Sequence, residues 1–176
     1  MDNKFTGNDL GIIATAAFIQ DAHAGQMYGN MPYYLHPMQV ADKVAMLVQA
    51  FKPTCGGAVD NFSAFTALCQ VVALMHDVIE DTENTEAGLR TMWSDHVVDA
   101  VVLLSKDSTL NYEQNIQQII DSGNIVAMFV KLADNFINRG GDKSQMDPAR
   151  ALRLNTQYDM SIGMLQVALQ QRSSLK

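Results

Sequence analysis

Apolar residues recur at helical spacing along nearly the whole chain, and short polar or glycine-containing breaks separate the runs. A first helix is predicted over about Asn8–His23, with Leu10, Ile13, Ala14, Ala17 and Phe18 on one face. Gly25 to Tyr34, holding Gly29, Asn30 and Pro32, reads as a loop. His36-Pro37 opens a second helix, since proline suits the first helical turn, and Val40, Val44 and Leu47 carry its apolar stripe. Lys52 to Asp60, with Pro53 and Gly56-Gly57, is a clear break. From Asn61 to about Asp81 the run is apolar on every side, the pattern of a central buried helix. Helices over about Thr85–Trp93, Ser94–Ser105, Tyr112–Ser122 and Ile125–Asn138 follow, then a loop from Gly140 to Asp147. Asp147 as cap and Pro148 in the first turn begin a last amphipathic helix to about Gln170. No strand pattern is convincing, so the predicted class is all-α, a compact multi-helix bundle.

The chain has 176 residues, which suits one domain spanning 1–176, and 48% are apolar, enough for a sizeable core. Its formal charge is −7, from 12 Lys+Arg against 19 Asp+Glu. That balance argues against nucleic-acid binding, which draws on clustered basic residues. A small anionic substrate would need a cation to reverse the local field. The two cysteines, Cys55 and Cys69, read as free thiols in a reducing compartment. The first residues, MDNKFTGNDL, lack the apolar segment of a signal peptide, and no apolar run is read as reaching membrane-spanning length. The expected location is the cytoplasm. The sequence does not specify an oligomeric state. The 11 methionines read as fillers of core gaps.

Polar residues inside the most apolar helix are the anomaly. His76, Asp77, Glu80 and Asp81 interrupt VVALMHDVIEDT, and at helical spacing His76 pairs with Glu80 and Asp77 with Asp81. Three carboxylates and an imidazole on a buried helix call for a counter-charge, and a bound cation supplies one. The bland alternative is a helix end emerging into solvent. Two further segments favour the cation. His36 stands at the mouth of the second helix, and Asp134 ends an apolar run in VKLADNFINR, with Lys131 one turn before and Asn138 one turn after. A mixed imidazole and carboxylate set suits Mn²⁺, Fe²⁺ or Zn²⁺ better than Mg²⁺.

Four stretches carry a family resemblance: AHAGQ (22–26), PYYLHPMQVA (32–41), ALMHDVIEDTENT (73–85) and VKLADNFIN (130–138). Their identity, order and separation resemble the HD superfamily, in particular the hydrolase domain of RelA/SpoT-type (p)ppGpp hydrolases and their small stand-alone relatives. The resemblance implies an HD-type helical bundle in which His36, His76, Asp77 and Asp134 ligate a metal, usually Mn²⁺. It implies that Glu80 and Asp81 orient and deprotonate the attacking water. It also places Asn138 near the sugar and phosphate of a nucleotide, and Lys106 near a substrate-binding lysine.

The departures bear on the substrate. After Gln26 the chain reads MYGNM, without the basic residues common there in the family, and Tyr28 offers an aromatic ring instead. Arg139 directly follows Asn138, with Gly140 where the family arginine is expected. His23 reads as a capping or supporting residue and His96 as a surface one. Arg150, Arg153 and Tyr158 lie on the last helix, where a solvated face competes with a phosphate-binding role. The leading expectation is a Mn²⁺-dependent 3′-pyrophosphohydrolase of a guanosine alarmone. One alternative is the same chemistry on another nucleotide phosphate, and another is a non-catalytic nucleotide-binding regulatory domain.

Overall fold

The computed structural model describes residues 11–51 and 61–173. Within them the helices are α1 (Ile12–Ala22), α2 (Leu35–Phe51), α3 (Phe62–Met75), α4 (Val78–Asp81), α5 (Glu86–Leu89), α6 (Asp95–Leu104), α7 (Tyr112–Asp121), α8 (Ile125–Gly140) and α9 (Pro148–Ser173). The all-α expectation holds. The expected start of the first helix, Asn8 to Leu10, and the break with Cys55 lie outside the described residues.

Side chains fix the helix starts. Asn61 accepts from the Ala64 amide at 3.1 Å and Asn124 from the Ala127 amide at 3.0 Å. Asn111 and Gln114 form a reciprocal capping box on α7. Asp147 caps α9 by accepting from the Arg150 amide at 2.9 Å.

Helices α2, α3 and α8 pack on one another at the centre, with α1 on α3 and α9 on α7 and α8. Their burial patterns explain the arrangement. Val40, Val44 and Val48 recur every four residues on α2 and are fully buried. Val71 to Met75 are buried consecutively on α3, so that helix has no solvent face over this stretch. Ala127 to Val130, Leu132 and Ala133 do the same on α8.

Four sequence expectations are corrected. The loop after Gly25 contains a short antiparallel ribbon, Met27–Tyr28 against Met31–Pro32, turned by Gly29 at φ +60°. Such two-residue strands are too short to show alternation. The helix expected over 85–93 is confined to Glu86–Leu89, and turns lead from it to the buried Trp93. The run Phe62–Asp81 is long and apolar enough to cross a membrane, at mean hydropathy 1.6, but half of it is buried in this core. It also breaks between α3 and α4, where Asp77 adopts φ −103° and ψ −1°. Met75 and Met128 do fill the core, whereas Met46 is 66% exposed.

Candidate metal centre

The break between α3 and α4 sets the site. His76 ends α3 and Asp77 precedes α4, while α2 brings His36 and α8 brings Asp134. His36, His76 and Asp77 each offer a ligand atom within 4.8 Å of the others. Nε2 of His76 lies 2.9 Å from Asp77 Oδ2 and 3.7 Å from Asp134 Oδ1. Nε2 of His36 lies 3.3 Å from Asp134 Oδ1 and 3.9 Å from Asp77 Oδ2. Ligands at about 2.1 Å from one ion are separated by about 3–3.5 Å at right or tetrahedral angles, so these spacings suit a shared cation.

The imidazole of His76 is prepared for one. Its Nδ1 bonds the Ala73 carbonyl at 2.7 Å, which in the neutral ring keeps the proton there and leaves the Nε2 lone pair for a cation. That Nε2 is buried and has no hydrogen-bond partner among the described residues, although Asp77 Oδ2 lies 2.9 Å away. Without a cation, burial disfavours an imidazolium, but Asp77 and Asp134 outweigh it and lift His76 to about 10. Burial pushes the Asp77 carboxyl up, and the His76 imidazolium reverses this and holds it at about 2. The donor set and the buried Nε2 without a hydrogen-bond partner fit a divalent cation.

Asp134 is held from two sides. Lys131 Nζ pairs with its Oδ2 at 2.9 Å, one turn earlier on α8, and Asn138 Nδ2 donates to its Oδ1 at 2.5 Å. Tyr28 OH in turn donates to Asn138 Oδ1 at 3.0 Å, and its ring stacks on His36 with centroids 4.9 Å apart. Tyr28 is therefore already packed on a residue of the metal centre.

A cleft of about 210 Å³ opens beside this centre, bordered by Tyr28, Glu80, Lys106, Asn138 and Tyr158. Burial, followed by the nearby Asp134 carboxylate, raises the Tyr158 phenol to about 12. Glu80 reaches the cleft and accepts from the Lys106 amide at 3.2 Å. Asp81 instead borders a separate outer groove with Gln26 and Glu83. Arg139, expected among the substrate-binding residues, does not border the cleft and pairs with Asp159 at 2.8 Å. Lys143 closes the end of α8 by donating to the carbonyls of Asn138, Gly141 and Arg139. Arg150 and Arg153 are exposed away from the cleft, as is His96.

Two residues escaped the sequence reading as members of the site. Tyr33 donates toward Asp77 Oδ2 at 2.6 Å and Asp81 Oδ2 at 2.8 Å. Asn115 stitches the loop that carries Lys106, accepting from the Asp107 amide and donating to the carbonyls of Asp107, Leu110 and Asn111. The tyrosine of PYYLHP was a visible signal. Nothing in the sequence marked Asn115.

A model of the HD domain family matches residues 33–139, a span holding all four expected ligands. Comparison with curated proteins returns no match. Among solved structures the fold is similar to one described as "A metazoan ortholog of SpoT hydrolyzes ppGpp and plays a role in starvation responses". That likeness has a TM-score of 0.66 at 17% identity and covers 98% of this chain and 95% of that one.

Proposed function

This chain belongs to the HD domain family, and on that premise we propose that it is a Mn²⁺-dependent phosphohydrolase that releases pyrophosphate from the 3′ position of a guanosine alarmone. The observation that carries the metal-dependent chemistry is the buried Nε2 of His76, without a hydrogen-bond partner among the described residues and facing two carboxylates beside an open cleft. The substrate reading rests on the alarmone-hydrolase motifs, and it is supported by what the similar SpoT ortholog is described as hydrolysing. The reading takes 1–176 as one domain and places it in the cytoplasm.

His36, His76, Asp77 and Asp134 would hold the cation, and Fe²⁺ or Zn²⁺ suits the same donors. When bound, it supplies charge neutralisation at the phosphoryl oxygens and a lowered pKa for water. Glu80 accepts the proton of the attacking water, since it borders the cleft and, unlike Asp77 and Asp134 there, is not one of the proposed metal ligands. Water adds at phosphorus as the bond to the 3′ oxygen breaks, and that oxygen takes a proton from solvent, leaving a 3′ hydroxyl and free pyrophosphate. Lys106 offsets negative charge on the substrate, while Asn138, Tyr28 and Tyr158 border its path. The cleft is smaller than the roughly 300–1,000 Å³ of a pocket that encloses a whole drug-sized ligand. It therefore takes the reacting phosphate end, with the nucleoside lying across the rim.

A second reading keeps the chemistry and changes the substrate to a nucleotide 2′- or 3′-phosphate. It is favoured by the scarcity of cations, because Lys106 and Lys131 border the cleft and Lys131 is paired with Asp134. A panel of nucleotides with added Mn²⁺, using His76→Ala as the control, separates the two. Alarmones left intact while another nucleotide loses phosphate would replace the first reading with the second. Nucleotide binding without any turnover would indicate a regulatory domain.

A further inference from the structure

Glu80 and Asp81 are neighbours in sequence, yet the fold sends them to different places. Glu80 borders the cleft. Asp81 lies on the outer groove, and its carboxylate meets the phenol of Tyr33, which does border the cleft. The same phenol reaches Asp77 Oδ2 at 2.6 Å, and that oxygen is the one nearest His76 Nε2. The phenolic oxygen thus stands between the carboxylate of Asp81 and the ligand oxygen of Asp77.

From this geometry we propose that Tyr33 is a positioning residue that fixes the ligand carboxylate of Asp77, and that Asp81 acts on the site by holding Tyr33. Glu80 is then the single carboxylate of the pair that reaches the reacting water. The inference rests on the metal-dependent reading above and divides the work of two residues that the family resemblance treats alike.

Four further contacts anchor the arrangement. Gln26 Nε2 donates to the Asp81 carbonyl at 2.7 Å, and the Tyr33 amide donates to the Gln26 carbonyl at 2.9 Å. The Tyr33 ring stacks on the buried His23, with centroids 4.7 Å apart. His23 is itself tied to Gln26, Nδ1 to Oε1, at 2.8 Å. Tyr33 and Asp81 are therefore joined through both side chain and backbone. A phenol has one proton to give, so its two carboxylate contacts form one unit rather than two independent bonds. Removing a group that orients a ligand carboxylate generally lowers metal affinity by about 10–100-fold.

The test is a double-mutant cycle on Mn²⁺ affinity, read by titration calorimetry with the metal alone and then by kcat and KM on the best substrate. Tyr33→Phe keeps the ring and its stacking, so it reports the hydroxyl alone and stays informative even if Asp81→Asn folds poorly. Both single variants should weaken Mn²⁺ binding by about tenfold or more, and the double variant should be no weaker than the worse single. Glu80→Gln should lower kcat while binding Mn²⁺ as the parent does. Wild-type Mn²⁺ affinity in Tyr33→Phe would overturn the proposal. So would multiplying losses in the cycle, or an Asp81→Asn protein that binds Mn²⁺ normally and turns nothing over. If the calorimetric pattern holds but the parent cleaves no nucleotide, the function reading falls and the positioning role stands.

Discussion

The Nδ1 of His76 bonds the Ala73 carbonyl one turn back at 2.7 Å, and this bond aims the opposite nitrogen at Asp77 and Asp134. It also makes metal binding a proton exchange. In the metal-free protein His76 is lifted from 6.5 to about 10, against the effect of burial and by virtue of the two carboxylates, so it is an imidazolium at neutral pH. A cation needs the neutral ring. Binding should therefore release about one proton, and Mn²⁺ affinity should rise about tenfold per pH unit between about pH 6.5 and 8. Calorimetry in buffers of different ionisation enthalpy measures the proton count, and a count near zero contradicts this assignment.

The same pair sets the stability of the metal-free protein. The folded pKa of His76 is raised, so its stabilisation is complete below about 6.5 and is lost as pH rises through about 10. The folded pKa of Asp77 is lowered from 3.8 to about 2, so its share is complete above 3.8 and is lost as pH falls through about 2. These are two ends of one interaction and count once. Urea midpoints of chelator-treated protein should peak between about pH 4 and 6.5, and Mn²⁺ should flatten the alkaline decline.

Lys131 gives a separate test of the charge balance. Its side chain is 20% exposed beside that of Asp134, which is 5% exposed, so removing the ammonium strands a buried carboxylate. Lys131→Met should destabilise the metal-free protein by about 3 kcal/mol. Mn²⁺ should recover part of that loss, since the cation compensates the same carboxylate. Urea titrations with and without Mn²⁺ check both halves, and equal losses in the two conditions would mean that Asp134 does not face the cation.

Much of this was legible in the sequence, for a physical reason. Ionisable groups inside apolar runs are costly, so His76, Asp77 and Asp134 stand out wherever the helix period is clear. The break after Met75 was not legible. Only the Asp77 backbone departs from helix, and the Asp81 amide still bonds the Asp77 carbonyl at 2.8 Å, so the four-residue periodicity runs through it. The different destinations of Glu80 and Asp81 depend on what the 23–34 segment and the Lys106 loop place against them. Those are contacts across 26 or more residues, which local spacing does not encode. Arg139 shows the converse, because a cation beside a motif residue on the chain can turn to a partner such as Asp159 on another helix.

Asn115 should matter more than its exposed polar neighbours. Its amide shares two N–H groups among three carbonyls and accepts one bond, all within the segment 107–111. Asn115→Ala should cost about 1–3 kcal/mol in stability and raise KM by freeing the loop that carries Lys106. Asn115→Asp should also fail, because a carboxylate cannot donate to the carbonyls of Asp107, Leu110 and Asn111. Chemical denaturation and steady-state kinetics on both variants check this.

Lys106 provides a way to count the charges a substrate brings. Its ammonium has no ion-pair partner among the described residues, whereas Lys131 is committed to Asp134. Lys106→Ala should raise KM for a 3′-pyrophosphorylated nucleotide about tenfold, the scale of one charge-assisted hydrogen bond, with kcat less affected. The penalty should shrink as salt rises, because the lysine borders an open cleft and its field is screened over about 10 Å at 0.1 M. A nucleotide carrying a single 3′-phosphate places most of its charge at the metal centre and should lose less. Comparing the two KM ratios in one buffer therefore reports whether the lysine meets the distal phosphate. Equal ratios would put Lys106 on the nucleoside side of the cleft and favour a substrate with fewer phosphates.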